Sequence, residues 1–275
     1  MRLQDLHTHS CFDDGNASLE QMVRAGIDKK LSAIGLSIHS PISGQGDWTA
    51  DPESLPDFLQ EARRLKNAYG DRITVYCGIE YDVRSNLDLS GFDYVIGSLH
   101  ATVTPSGSFD ADNTAQIAQA GVEAFFDCDA DAAAEAFFAQ YASVAENSEI
   151  DIVGHFDLLT KFDDKIGLYD AQSPRFLDAA YGAMEMLTNA GKLFEINSGA
   201  ISRGYRTSPY PSKTLLTRLR ELNGRILLSS DAHSTDGVGF YFKEMLELSK
   251  FFGFSEIWML MNGEFVPVPM NLIQI

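Results

Sequence analysis

Asp5-Leu6-His7-Thr8-His9 closes a short apolar run, Met1 to Leu6, that reads as a first β-strand delivering two histidines at its carboxyl end. In extended backbone, side chains two apart point the same way with alpha carbons roughly 7 Å apart. Two such imidazoles can close on one cation or reach two adjacent ones. A lone His-x-His pair decides nothing, so its meaning comes from the other histidines. The chain has six, His7, His9, His39, His100, His155 and His233, and each falls at or just after the end of an apolar run of strand length.

Working outward, Ala33 to Ile38 ends at His39, Ile73 to Ile79 ends at Glu80, and Tyr94 to Gly97 leads into Ser98-Leu99-His100. Ile150 to Gly154 leads into His155, Leu193 to Ile196 into Asn197-Ser198-Gly199, and Ile226 to Ser229 into Asp231-Ala232-His233. Between these runs lie segments with helical signals. Val23, Ile27 and Leu31 follow the cap Ser18, and Pro52 to Tyr69, Pro174 to Ala190, Leu215 to Leu222 and the Ala- and Phe-rich stretch Ala111 to Ala142 read as helical. Repeated strand-then-helix units with near-continuous apolar strands predict a parallel sheet covered by helices. An open doubly wound sheet would spread the strand ends along a line, whereas a closed barrel brings them to one face. So many ligand-type side chains at strand ends favour an α/β, TIM-like barrel of about seven strands, with its chemistry at the C-terminal ends of the strands.

Composition sets the outer limits. With 275 residues and 45% hydrophobic content the chain can bury a substantial core, and no tract, repeat or linker divides it, so 1–275 is expected to be a single domain. A formal charge of −18 argues against nucleic acid or an anionic membrane as the main partner. Cys11, Cys77 and Cys128 lack the even count of a disulfide framework. No signal peptide or long apolar span is visible, and a cytoplasmic protein is expected. Oligomeric state is not legible from the sequence.

Mixed imidazole and carboxylate ligation suits zinc, manganese or iron better than magnesium or calcium. Two or three adjacent divalent ions acidify a shared water, giving hydroxide as nucleophile, and polarise phosphoryl oxygens. The expected reaction is therefore hydrolysis of a small phosphomonoester. The departing alkoxide needs a proton, for which Asp231 and His233 are the candidates. In the Gly- and hydroxyl-rich loop Ser198 to Arg206, Arg203 and Arg206 can offer planar forks to phosphate, and Lys161 a further charge.

Asp5-Leu6-His7-Thr8-His9-Ser10 with Asp14-Gly15, then His39, Glu80, His100, His155 and Asp231-Ala232-His233, resemble the metal-binding motifs of the polymerase and histidinol phosphatase (PHP) family. The resemblance covers nearly the whole chain and implies a distorted (β/α)7 barrel holding up to three divalent metals. It implies His7, His9, Asp14, His39, Glu80, His100, His155, Asp231 and His233 as ligands, with Glu80 bridging; Asp13 is an alternative acid to Asp14. His39-Ser40-Pro41, Phe92 to His100, Gly154 to Asp157 with Lys161-Phe162, and Glu195-Ile196-Asn197 with Arg203 and Tyr210-Pro211-Ser212 point to the histidinol-phosphatase branch. L-Histidinol phosphate is then the expected substrate, and Tyr81 and Asp82 could meet its amine or imidazole end. A broader or nucleotide-directed phosphoesterase is the alternative, as is a decayed metal-binding regulator. The last is suggested by Ile38, which stands where family members often carry Asp before the second-motif histidine. The stretch from Gly121 to Ala142 matches nothing in the family and is expected to be a packing helix.

Overall fold

Seven parallel strands form one sheet in sequence order: β1 (Gln4–Asp5), β2 (Ala33–His39), β3 (Thr74–Asp82), β4 (Tyr94–Ser98), β7 (Ile152–Val153), β8 (Leu193–Asn197) and β9 (Arg225–Ser229). The computed structural model describes residues 1–46 and 48–274. The ring closes just beyond β1 and β9, where Thr8 and Ala232 form a parallel bridge and His9 N–H donates to the Ala232 carbonyl at 2.8 Å. Asp5 ties the same seam, accepting from Ser230 N–H, the Ser230 hydroxyl and Gly239 N–H. The barrel is thus nearly closed, with the seam joining the first and last metal-type motifs of the chain.

Alternation along each strand separates two cores. Ile34, Leu36 and Ile38 of β2 point outward into the larger core, shared with the covering helices, while Leu6, Tyr76, Tyr94, Ile96, Ile152, Leu193, Leu227 and Leu260 cluster separately as the barrel filling. Tyr94 is the central piece. A Cβ at Gly35 or Gly78 would lie 2.0–2.1 Å from its phenol, so those two glycines leave the room that the ring occupies. Its hydroxyl donates to the Leu6 carbonyl.

The outer layer consists of α1 (Leu19–Asp28), α2 (Leu55–Tyr69), α3 (Ala115–Phe126), α4 (Ala130–Ala139), α5 (Tyr141–Glu146), α6 (Asp163–Ile166), α7 (Pro174–Asn189), α8 (Gly199–Ser202), α9 (Lys213–Glu221) and α10 (Phe242–Phe251). Ser18 caps α1 in a reciprocal box with Gln21, satisfying N–H groups that the helix itself leaves free. A hairpin, β10 (Glu256–Met261) and β11 (Glu264–Pro269), sits at the opposite end of the barrel from the histidines. There Leu260 exchanges hydrogen bonds with the Gln4 side chain. Among the described residues, no helix is long and apolar enough to cross a membrane.

The Ala- and Phe-rich stretch differs from its expectation. A hairpin, β5 (Ala101–Thr104) and β6 (Gly107–Asp110), precedes it, and the stretch itself forms α3, α4 and the start of α5. The expected single helix from Gly121 to Ala142 is broken at Asp127 and Cys128, both with positive φ. Packing remains its role: Phe138 meets Phe156 and Phe176 at 5.2 Å, and Tyr141 stacks on Phe156 at 4.9 Å. Phe156 follows His155 directly, so this layer braces the end of β7.

Beyond β7, Asp163 caps the turn after α6 by accepting from Leu168 and Tyr169 N–H, while its second oxygen is buried without a hydrogen-bond partner among the described residues. Burial pushes this carboxyl up to about 6. The folded state then holds an extra proton between about pH 4 and pH 6, so this group's contribution to stability falls as pH rises through that window. Asp163→Asn should flatten the pH dependence of the unfolding midpoint there. It should also gain about 2 kcal/mol relative to wild type at pH 7.5, after allowing for the half-buried position. Parallel wild-type and variant curves from pH 4 to 7.5 would contradict it.

Candidate metal centre

Register places the polar side chains. His39 ends β2 directly beside Glu80 of β3. Glu80 is the hub. One oxygen lies 3.1 Å from His7 Nε2, 3.3 Å from His9 Nε2 and 3.0 Å from His39 Nδ1; the other lies 3.2 Å from His100 Nε2 and 2.7 Å from His155 Nε2. Asp231, at φ 51°, turns the chain after β9, and one of its oxygens comes 3.5 Å from His9 Nε2. Asp14 Oδ1 lies 3.1 Å from His233 Nε2 and 3.6 Å from His39 Nε2. Three groups have ligand geometry: His9, Asp14, His39 and His233; His7, His9 and Glu80; and His39, Glu80 and His100.

The donor set fits divalent cations. His7 Nε2, His9 Nε2, His39 Nδ1, Glu80 Oε2 and His155 Nδ1 are buried with no hydrogen-bond partner among the described residues. Orphaned lone pairs of this kind are costly unless something answers them. Burial opposes protonation of His7, yet Glu195, Glu80 and Asp231 outweigh it and hold its pKa well above the ordinary value. Burial likewise pushes Glu80 up, and the surrounding imidazoles override it and keep the carboxylate ionised. The pocket therefore calls for positive charge at its centre.

Three carboxylates behind the ring nitrogens fix which nitrogen faces inward. Glu195 meets His7 Nδ1 at 2.9 Å, Asp13 meets His9 Nδ1 at 2.7 Å, and Asp82 meets His100 Nδ1 at 3.0 Å. Each leaves Nε2 for a cation, the arrangement that orients metal-binding histidines. Asp13 and Asp14 thus divide the work: Asp13 also accepts from His39 N–H, and Asp14 alone of the two belongs to a ligand group. Glu195 further accepts from the Ser229 hydroxyl, His155 N–H and Asn197 Nδ2. Glu195→Gln should lower metal affinity about 10- to 100-fold without unfolding the chain. Chelator titration with elemental analysis reads this, and wild-type retention of metal would refute it.

Above the cluster opens a cavity of about 260 Å³ lined by Asp14, His39, Trp48, Glu80, His100, Asp110, Asp112, Asn113, His155, Leu158, Lys161, Arg203, Tyr205, Asp231 and His233. Of the three cations expected near phosphate, Lys161 and Arg203 reach this wall and Arg206 does not. Arg206 is buried against Tyr210, donates to Thr160 Oγ1 at 2.7 Å and faces Asp157 at 3.7 Å, so its fork is occupied by protein. Arg203 points one nitrogen at Asp231 Oδ2 and the other at the Asp231 carbonyl and His233 Nδ1. Neither Tyr81 nor Asp82 lines the cavity. The Tyr81 hydroxyl donates to the Ser85 carbonyl, and Asp82 is held by His100 and a fork from Arg84. Ile38 is fully buried in the outer core, facing away from the site, and no ligand is displaced by it.

A seven-stranded parallel barrel whose C-terminal mouth gathers imidazoles and carboxylates around orphaned lone pairs defines a metal-binding α/β barrel. The chain belongs to the PHP family, whose domain model matches residues 5–199. That match ends before Arg203, Asp231 and His233, which the last two barrel strands return to the same pocket. A relative from Deinococcus radiodurans, named "Probable histidinol-phosphatase", is 26% identical over 257 residues, covering 88% of this chain and 90% of its own. The histidinol-phosphatase of Lactococcus lactis is 24% identical, covering 85% of each chain. Among solved structures, one from Listeria monocytogenes superposes with a TM-score of 0.78 at 19% identity, over 88% of this chain and 99% of its own. The histidinol phosphate phosphatase of Lactococcus lactis, solved with zinc, L-histidinol and phosphate, gives 0.68 at 20% identity, over 96% and 99%.

Proposed function

We propose that this chain is a metal-dependent phosphomonoesterase that converts L-histidinol phosphate and water to L-histidinol and phosphate. The observation that carries the reading is Glu80, whose two oxygens meet five imidazoles beneath a small cavity walled by Arg203 and Lys161. His7, His9, Asp14, His39, Glu80, His100, His155, Asp231 and His233 are the proposed ligands of two or three zinc, manganese or iron ions, with Glu80 between them. When bound, such ions acidify water into a nucleophile and neutralise phosphoryl charge.

The protein's own groups do the rest. Arg203 and Lys161 orient the phosphoryl group, Arg203 offering its guanidinium edge while it braces Asp231. Asp231 is held ionised by Arg203 and the imidazoles against the effect of burial, so it serves as a carboxylate and has no proton to give. Burial and the neighbouring His9 imidazole pull the His233 pKa down, so its ring is neutral and serves as a lone-pair donor with no proton to give. With Nδ1–H donating to the Asp231 carbonyl at 3.0 Å, Nε2 keeps the lone pair of a proposed ligand, and the charge of a departing alkoxide would be met by the bound cations. A pocket of about 260 Å³ suits a small monoester better than a nucleotide.

The names of the Deinococcus and Lactococcus relatives support the choice of substrate. A panel of phosphate esters, assayed with metal content measured on the same sample, tests it. Histidinol phosphate should exceed a generic ester by about 100-fold in kcat/KM, and turnover no faster than the generic ester would overturn the reading.

A further inference from the structure

The cavity has more negative charge than its metal ligands explain. Asp110 and Asp112 line it and belong to none of the three ligand groups. Asp110 ends the hairpin that follows His100, pairing across from Ala101, and Asp112 lies just beyond it; Ala111 N–H between them donates to the His100 carbonyl at 2.9 Å. That bond fixes the acids on either side of Ala111, whose own side chain is fully buried. The two carboxylates therefore stand at the mouth next to a metal-type histidine, on a wall of their own.

Their internal partners differ. Asp112 holds Lys161, accepting Nζ at its carbonyl at 2.7 Å and at its carboxylate at 3.3 Å. Asp110 accepts no side-chain hydrogen bond among the described residues. Its nearest cation is Arg84 Nη1 at 3.7 Å, on a guanidinium already forked onto Asp82. Burial pushes the Asp110 carboxyl up, a cost that an arriving cation relieves. Trp48 adds an aromatic face to the same cavity, 5.0 Å from the His39 and His100 rings.

We propose that Asp110, with Asp112 beside it, is the specificity-determining acid that receives a positively charged group, an ammonium or imidazolium, on the alcohol of the phosphomonoester. The inference rests on the phosphomonoesterase reading and deepens it. The substrate then lies with its phosphate toward Arg203 and Lys161 and its cation toward β6. A neutral alcohol covers the half-buried Asp110 without giving it a closer partner than Arg84 at 3.7 Å, which discriminates against it.

The test compares L-histidinol phosphate with glycerol phosphate, whose alcohol is uncharged, on wild type, Asp110→Asn and Asp110→Glu at matched metal content. Wild type should favour the cationic ester. Asp110→Asn should cut the ratio of the two kcat/KM values about 10- to 100-fold, mainly through KM for the cationic ester, and Asp110→Glu should restore part of it. An unchanged ratio, or a wild type indifferent to the charge, overturns the proposal while leaving the phosphatase reading intact. If neither ester is hydrolysed, the phosphatase reading fails by itself, and calorimetry with L-histidinol alone decides this one. A tenfold weaker affinity in Asp110→Asn supports it; equal affinity overturns it.

Discussion

Glu80→Gln should strip most of the bound divalent metal and lower kcat/KM for a phosphomonoester by about 10³-fold, equivalent to about 4 kcal/mol of transition-state stabilisation. The substitution keeps size and shape, so packing around the 1%-exposed side chain is preserved. Charge and ligand capacity are lost together. The amide nitrogen must face either the His7, His9 and His39 nitrogens or the His100 and His155 nitrogens, and it can coordinate nothing on that side. Removing the carboxylate that, alone among the described residues, touches both sets should therefore cost more than Glu195→Gln, which disturbs the orientation of one ring. Elemental analysis and steady-state rates measure both. Near-normal metal and turnover in Glu80→Gln would mean that the imidazoles do not share ions through this residue.

Arg203→Met should lower kcat/KM about 100-fold or more, chiefly by raising KM, and Arg203→Lys should recover only part of the loss. Two contributions add here. A positive charge at the cavity wall is lost to the phosphate, and Asp231 Oδ2 loses its partner at 3.0 Å. Assays at saturating metal separate them, because loosened ligation by Asp231 responds to added metal while lost phosphate binding does not. A wild-type KM in Arg203→Met under those conditions would remove Arg203 from the substrate site and leave it a brace for Asp231.

The candidate ligands are legible in the sequence because their placement is a property of order along the chain. Histidines that follow successive parallel strands must share a barrel mouth, and the resemblance to known motifs named the same positions. Glu195 was a weaker signal of the same sort: a carboxylate inside the apolar run Leu193 to Ile196 has no bland reason to be there. It was read as a family marker, and its hold on His7 appears only in three dimensions. Facing was the harder problem. Arg203 and Arg206 lie three apart on one irregular loop, and nothing in their spacing shows that one guanidinium turns to the cavity and the other onto Tyr210. Asp82 looked like a substrate contact because it follows Glu80, yet strand alternation turns it to the same side as Glu80, behind His100 rather than into the cavity. The hairpin that carries Asp110, with Asp112 just after it, is absent from the strand-and-helix reading, because its strands are four residues each and β6 buries only Phe109.

The Tyr94 ring, wedged between Gly35 and Gly78 under the imidazoles, makes the barrel a cup and not a tube. Ester, phosphate and alcohol share the opening walled by Trp48, Lys161 and Arg203. Liberated phosphate sits where the next ester must dock, and it has to depart through the same opening before another turnover can begin. Phosphate is thereby expected to compete with the ester, at a rim formed by Trp48, Lys161 and Arg203.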